Sequence, residues 1–244
     1  MQVIYFVCLC QLDLFLFAGN CLKIPHLYPC ATVLDYFFTY FLTFFWFLTI
    51  INAINLVDIM DGLAASISLC ACISFACIGY FFKNITMVSW ALIISGALIS
   101  FLFYNKPHAK IYLGDAGSLM LGGVLSLIPF LITTGGSLYN YNNFLGGAII
   151  LGIPLMETLL LIVIRTYKKI PFYLGSQDHF VCFLRKKKWG DWKILFFVYV
   201  IALYLYFVAQ MFFLKKISLI ATFLQLSILL FFSFFTIYYK KCID

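Results

Sequence analysis

The sequence predicts an all-α fold, a polytopic bundle of about eight transmembrane helices. Hydrophobic residues make up 65% of the 244 residues and charged residues only 10%, and the mean hydropathy is +1.06. A helix needs roughly 20 apolar residues to cross a bilayer, and runs of about that length follow one another along the chain. Hydrophobicity is continuous within these runs, whereas the strands of a membrane barrel alternate at every second residue.

Eight segments are predicted to cross the membrane. Seven qualify by length, namely residues 34–57, 63–82, 87–104, 116–133, 144–164, 194–214 and 217–239. The eighth, residues 3–17, is shorter and contains Asp13, but it lacks the basic start and the cleavage site of a signal peptide. Because no repeat or linker separates these segments, residues 1–244 are predicted to form one membrane-embedded domain.

The cations of the loops indicate the orientation. With the N-terminus inside, the inner loops hold twelve Lys and Arg residues and the outer loops hold four, which is the asymmetry expected when the inner loops are cytoplasmic. The net charge of +7 is explained by this topology, so no nucleic-acid partner is expected. Contact with anionic lipid stays open. The sequence thus predicts a multi-pass protein of the inner (plasma) membrane.

Most polar residues that can carry chemistry fall on the predicted inner side. They are Asp58, Asp61, Asn105, His108, Asp115, Asp178, His179, Asp191 and Asp244. Carboxylates can hold Mg²⁺, and the metal together with Lys or Arg neutralises phosphate. This combination predicts a cytoplasmic site for a phosphorylated ligand that binds with Mg²⁺.

The first polar cluster follows the second predicted span. Asn52, Asn55, Asp58 and Asp61 recur at every third residue, and residues three apart on a helix lie on adjacent faces. All four would wind around a straight α-helix, so some 3₁₀ character or a break at Gly62 is expected. The alternative is that the two aspartates only mark where a span meets water.

The second cluster is the run NKPHAKIYLGDAGSLMLGG, residues 105–123. Gly114 and Gly117 flank Asp115 and leave its backbone open to close approach by a ligand. Ser118 is predicted to cap the following helix, whose N-terminal end favours an anion. The alternative is an ordinary turn with a capping residue.

The third cluster lies in the long inner loop. His179, beside Asp178, is a candidate general acid or base or a phosphate ligand. A loop histidine with a carboxylate neighbour is the alternative. The basic run at residues 185–188 is either a topology signal or a grip on phosphate or lipid headgroups.

Four stretches together resemble one family. They are NAINLVDIMDGLA at residues 52–64, the run at 105–123, GIPLMETLLLIVIR at 152–165 and FYLGSQDHF at 172–180. They resemble, in the family's order, the polyprenyl-phosphate N-acetylhexosamine-1-phosphate transferases of glycosyltransferase family 4. That family includes phospho-MurNAc-pentapeptide transferase and undecaprenyl-phosphate GlcNAc-1-phosphate transferase. The resemblance extends from about Gln11 to about Gly190.

The resemblance implies a reaction and a set of site residues. A polyprenyl phosphate attacks the sugar-bearing phosphate of a UDP-HexNAc with Mg²⁺ assistance, and the products are a polyprenyl-diphospho-sugar and UMP. Catalysis of this kind consists mostly of positioning and charge neutralisation. The implied catalytic residues are Asp58, Asp61, Asp115 and His179, with Asp115 as the Mg²⁺ ligand. The implied substrate-binding residues are Asn55, Asn105 and Tyr112, the last lying against the uracil.

The chain also departs from the family pattern. Family members carry three further spans and an Asp-Asp motif ahead of residue 52, and the chain is expected to lack them. Ile59 replaces a glycine, Glu157 replaces an aspartate, and the paired histidines of many members are Val181 and Cys182 here.

Two functions stay open. One is a transferase that starts cell-wall or surface glycan synthesis, with the family's N-terminal part either lost from the predicted coding sequence or supplied by another chain, which includes a second copy. The other is a remnant or non-catalytic membrane protein that binds nucleotide sugar or lipid, or only a partner. Little product is expected from this chain alone. Measurement of UMP release separates the two functions, first with the chain alone and then after the family's first spans are added from a relative.

Overall fold

The computed structural model describes residues 33–131, 141–169 and 179–214. All regular structure in these ranges is α-helical, in eight helices. The helices are α1 (Val33–Val57), α2 (Leu63–Phe81), α3 (Ile85–Asn105), α4 (Gly114–Leu131), α5 (Tyr141–Ile150), α6 (Gly152–Lys168), α7 (Phe180–Lys186) and α8 (Asp191–Phe213). The spans predicted at residues 3–17 and 217–239 lie outside the described residues.

Four of these helices are long and apolar enough to cross a membrane, namely α2, α3, α4 and α8. Helix α1 is 25 residues long, and its stretch Phe41–Val57 is apolar. Large hydrophobic side chains on α1, α3 and α8 are exposed, a surface that a soluble monomer rarely carries. Lipid explains this surface, and the predicted all-α, multi-pass membrane fold is confirmed.

The span predicted at residues 144–164 is formed by two helices that meet at a one-residue break. Helix α5 ends at Ile150 and α6 begins at Gly152. Pro154 has no N–H to donate to the carbonyl of Ile150, so the helical ladder is broken at this point. Helix α6 is 17 residues long, which is shorter than the roughly 20 residues of a full crossing.

The helices pack around a continuous apolar core. Helix α1 lies against α4 and α6, α2 lies against α3 and α8, and α5 lies against α8. The largest fully buried side chains include Ile50, Ile54, Phe75 and Leu125. This packing brings the ends of α1 and α3 and the beginnings of α2 and α4 to one end of the bundle, where the polar clusters lie.

Helices α1 and α4 approach closely at a glycine. A Cβ atom added to Gly122 would lie 2.7 Å from the Cα of Ile51 and 3.1 Å from its carbonyl oxygen. One turn away, the indole N–H of Trp46 donates to the carbonyl of Ser126 at 2.9 Å. Small residues permit such backbone contacts between membrane helices. The contact at Gly122 therefore sets the position of Asn55, one turn beyond Ile51, relative to α4.

We predict that Gly122→Ala destabilises the chain by about 1–3 kcal/mol, because the added methyl group meets backbone that cannot move aside cheaply. Gly96→Ala is the matched control, since a Cβ there meets nothing within 4 Å. Both substitutions gain the same helix propensity, so their difference isolates the packing. Thermal unfolding in lipid nanodiscs measures it. A Gly122→Ala variant as stable as Gly96→Ala would contradict the close approach.

Candidate active site

The first loop of the site, residues 58–62, begins where α1 ends. The N–H of Asp58 donates to the carbonyl of Asn55 at 3.2 Å, an i to i+3 bond of the 3₁₀ type. Gly62 has φ +74°, a left-handed conformation that a residue with a Cβ adopts only with strain. Helix α1 ends at Val57, and the bond at Asp58 is the 3₁₀ character that the spacing of the polar residues predicts.

The second loop, residues 106–113, is held against the first by side chains. The Oδ1 of Asn105 accepts the N–H of Gly62 at 3.1 Å, and its Nδ2 donates to the carbonyl of Ile111 at 2.8 Å. The Oδ2 of Asp61 accepts the N–H of Ala109 at 3.0 Å. Asn105 is buried, and both ends of its amide serve to join the loops. Its role toward substrate stays a prediction.

Asn55 connects the first cluster to the second. Its Nδ2 lies 3.2 Å from the Oδ1 of Asp115 and 2.9 Å from the Oγ of Ser118. Asp115 is exposed in the first turn of α4, where the helix dipole favours a negative charge. The predicted capping role of Ser118 is wrong, because α4 begins at Gly114 and Ser118 lies inside it. The Ser118 hydroxyl instead donates to the carbonyl of Asp115 at 3.2 Å.

The three aspartates form one negative cluster. Burial raises the pKa of Asp58 above its ordinary value, and the charges of Asp115 and Asp61 raise it further. Asn55, whose amide contacts Asp115, lies three residues before Asp58, and Asp61 contacts the second loop at Ala109. The three aspartates therefore lie at the same end of the bundle, at the two loops.

The Mg²⁺ that the resemblance implies can be tested against these residues. Within residues 33–131, 141–169 and 179–214, no three His, Cys, Asp or Glu side chains converge into a protein-only metal cage. Mg²⁺ commonly takes only one or two carboxylates and fills its octahedron with water and substrate phosphate. Asp115 is exposed, and the ionised form of Asp58 is disfavoured by the neighbouring negative charges. Both observations fit that mode of binding.

The second loop also presents exposed groups beside the carboxylates. Tyr112 is 73% exposed, which leaves its ring accessible to a planar base. Lys106, His108 and Lys110 are exposed on the same loop, and His108 has φ +69°. An exposed aromatic ring and cations next to a carboxylate cluster suit a ligand that carries both a base and phosphates.

His179 is placed differently from the aspartates. Its side chain is buried, and its Nδ1 lies 3.0 Å from the Oε1 of Glu157. The N–H of Phe180 donates to the same oxygen at 3.2 Å. Thr158, the residue after Glu157, donates to the carbonyl of Pro154 within its own helix. Asp178, the sequence neighbour of His179, lies outside the described residues.

Sequence reasoning missed two participants in this region. Glu157 was not paired with His179, although a lone carboxylate in an apolar helix signals a partner elsewhere. Arg185 was grouped with its basic neighbours, yet its guanidinium donates twice to Asp191, at 2.9 and 3.0 Å. This hydrogen bonding raises the pKa of Arg185, and the charge of Asp61 adds to the rise. Arg185 therefore ties the end of α7 to the beginning of α8.

A family model described as "Glycosyl transferase family 4" matches residues 2–134 of the chain. The match covers more than half of the sequence. The chain belongs to this family. The motif resemblance is thereby confirmed, and the two loops with their three aspartates lie inside the matched region. The contact between Glu157 and His179 lies beyond it.

Curated relatives from bacteria match the chain over part of their length. The probable undecaprenyl-phosphate N-acetylglucosaminyl 1-phosphate transferase of Bacillus subtilis (strain 168) is 35% identical over 143 residues, 57% of this chain and 38% of the relative. The phospho-N-acetylmuramoyl-pentapeptide-transferase of Lactobacillus gasseri is 33% identical over 159 residues, 65% of this chain and 47% of the relative. The enzyme of the same name from Clostridium beijerinckii is 37% identical over 125 residues, 51% of this chain and 36% of the relative. The chain spans less than half the length of these relatives.

We predict that Asp58→Asn stabilises the metal-free chain at neutral pH. The pKa of Asp58 is raised in the folded state, so the folded state loses stability as pH rises through that pKa. Asn removes the repelled charge, and the advantage should shrink as pH falls below the raised pKa and vanish near the ordinary value of 3.8. Melting temperatures in EDTA across this pH range measure the effect.

Asp191→Asn is the control for this measurement, because Asp191 is paired with Arg185. Its melting temperature should be unchanged or lower than that of the parent chain. An Asp58→Asn variant that melts below the parent at neutral pH would contradict the repulsion.

Proposed function

We propose that this chain binds a UDP-N-acetylhexosamine with Mg²⁺ at the cytoplasmic face of the inner membrane, for transfer of HexNAc-1-phosphate to a polyprenyl phosphate. The observation that carries the proposal is that Asp61 and Asn105 lock the loop containing Asp58 to the loop that leads into Asp115, in a chain that belongs to glycosyl transferase family 4. The side of the membrane follows from the distribution of loop cations.

The names of the relatives support the substrate classes. One relative is named for undecaprenyl phosphate and an N-acetylglucosaminyl 1-phosphate group, and the others are named for transfer of a phospho-N-acetylmuramoyl-pentapeptide. These names share a phosphorylated amino sugar, and we propose it as the group that this chain transfers. We also propose the polyprenyl phosphate acceptor that the name of the Bacillus subtilis relative includes. The product would be a polyprenyl-diphospho-sugar for cell-wall or surface glycan synthesis.

The proposed reaction exchanges one phosphorus–oxygen bond for another. A phosphate oxygen of the acceptor attacks the phosphorus that carries the sugar, and the bond from that phosphorus to UMP breaks. Charge builds up on the transferred phosphate and on the leaving group, so the site must supply positive potential. Asp115 would hold Mg²⁺, and the bound metal would neutralise charge on the diphosphate.

The chain's own residues contribute binding and orientation. The side-chain amide of Asn55 donates to the Asp115 carboxylate at 3.2 Å. This bond fixes the direction in which the carboxylate faces a metal. The exposed ring of Tyr112 is available to stack on uracil. Asp61 uses one oxygen to hold the second loop at Ala109, and it keeps the loops in register around the donor.

We predict that Asp115→Asn weakens Mg²⁺-dependent binding of UDP-GlcNAc by about 10-fold or more, because a charged ligand is lost while the shape is kept. Titration of the chain in nanodiscs, with Mg²⁺ and then with EDTA, measures this. Asn52→Ala is the control: Asn52 lies one turn before Asn55 on α1, is exposed, and donates to the carbonyl of Leu48 in its own helix. Equal affinity for the parent chain and Asp115→Asn would remove Asp115 from the site.

A further inference from the structure

Glu157 and His179 form a buried pair of ionisable side chains, exposed by only 3% and 7%. The Nδ1 of His179 and the Oε1 of Glu157 are 3.0 Å apart. Burying a carboxylate is costly unless hydrogen bonds and a partner compensate for the lost water. In a chain that is only 10% charged, such a pair is an expensive feature that packing alone does not require.

A backbone donor also contacts Oε1 of Glu157. The N–H of Phe180, a backbone group that can only donate, lies 3.2 Å from the same oxygen. The contact between Nδ1 and this oxygen is a second hydrogen bond to Oε1 when the imidazole nitrogen that faces it carries hydrogen. In that tautomer Nε2 is the other ring nitrogen.

We propose that Glu157 is a positioning residue that keeps a proton on Nδ1 of His179 and thereby presents Nε2 toward the reacting groups. The part of this inference that concerns substrate rests on the proposed function. A carboxylate that orients an imidazole in this way fixes both its tautomer and the plane of its ring. Glu157 itself touches no substrate in this account.

The same carboxylate fixes the backbone that carries the imidazole. His179 directly precedes α7, and its own side chain makes no capping hydrogen bond. The bond from the Phe180 N–H to Glu157 satisfies the start of the helix from a neighbouring element, α6. Helix α7 then carries Arg185 to its ion pair with Asp191 at the beginning of α8. Glu157 therefore links α6 to the segment that carries both His179 and Arg185.

Nitrogen NMR of the imidazole rings tests the proposal without any ligand. The chain has three histidines, so ring-¹⁵N-labelled protein in nanodiscs gives few signals, and His179→Gln identifies the signal of interest. The expected result is a protonated Nδ1 at His179 in the parent chain. A bare Nδ1 with hydrogen only on Nε2 would overturn the proposal, because Glu157 would then be the donor.

Two variants extend the same measurement. Glu157→Gln should redistribute the His179 proton between the ring nitrogens, because an amide can both donate and accept. Thr158→Val is the matched control, since the Thr158 hydroxyl bonds only within its own helix, to Pro154, and its His179 spectrum should equal that of the parent. An unchanged His179 spectrum in Glu157→Gln would overturn the proposal.

Binding of UDP-GlcNAc, the proposed sugar donor, tests the functional part of the proposal. Glu157→Gln should weaken Mg²⁺-dependent UDP-GlcNAc binding by about 10-fold with little change in melting temperature, while Thr158→Val binds like the parent. Unchanged binding in Glu157→Gln would limit Glu157 to structure and overturn its positioning role. If the parent chain itself fails to bind UDP-GlcNAc, the proposed function fails, and the NMR result still decides whether Glu157 sets the proton of His179.

Discussion

The side-chain amide of Asn105 is the interaction on which the candidate site depends. Its oxygen accepts from Gly62 in one loop and its nitrogen donates to Ile111 in the other. The amide oxygen and nitrogen belong to a buried side chain, and each would cost about 1–3 kcal/mol if left without a partner. The two loops are therefore fixed in one register, and the contact of Asp61 with Ala109 follows from that register.

Helix packing and the polar site support each other. The close approach of α1 and α4 at Gly122 places Asn55 within reach of Asp115 and Ser118. The apolar core and this approach stabilise a cluster of carboxylates that repel one another. Repulsion among the carboxylates lowers the stability of the free chain, and such a loss is common at sites that bind a charged ligand. A divalent cation and a phosphorylated donor would relieve the repulsion that the free chain carries.

Much of the fold and part of the site could be predicted from the sequence, for physical reasons that differ from element to element. Spans are visible because hydropathy is local, and Asp58, Asp61 and Asp115 stand out because charge is rare in this chain. The break at Leu151 was not predicted, because hydropathy does not register the missing N–H of Pro154. The pairing of Glu157 with His179 depends on tertiary packing across 22 positions, so no local pattern contains it.

Hydrogen exchange at the N–H of Gly62 tests the central claim most directly. This amide lies in a loop, where exchange is normally fast, yet it donates to the buried Asn105 side chain. We expect slow exchange at Gly62 in the parent chain and fast exchange in Asn105→Ala, with amides in the middle of α2 equally protected in both. Fast exchange at Gly62 in the parent chain, or the same slow rate after Asn105→Ala, would show that Asn105 does not hold the two loops together.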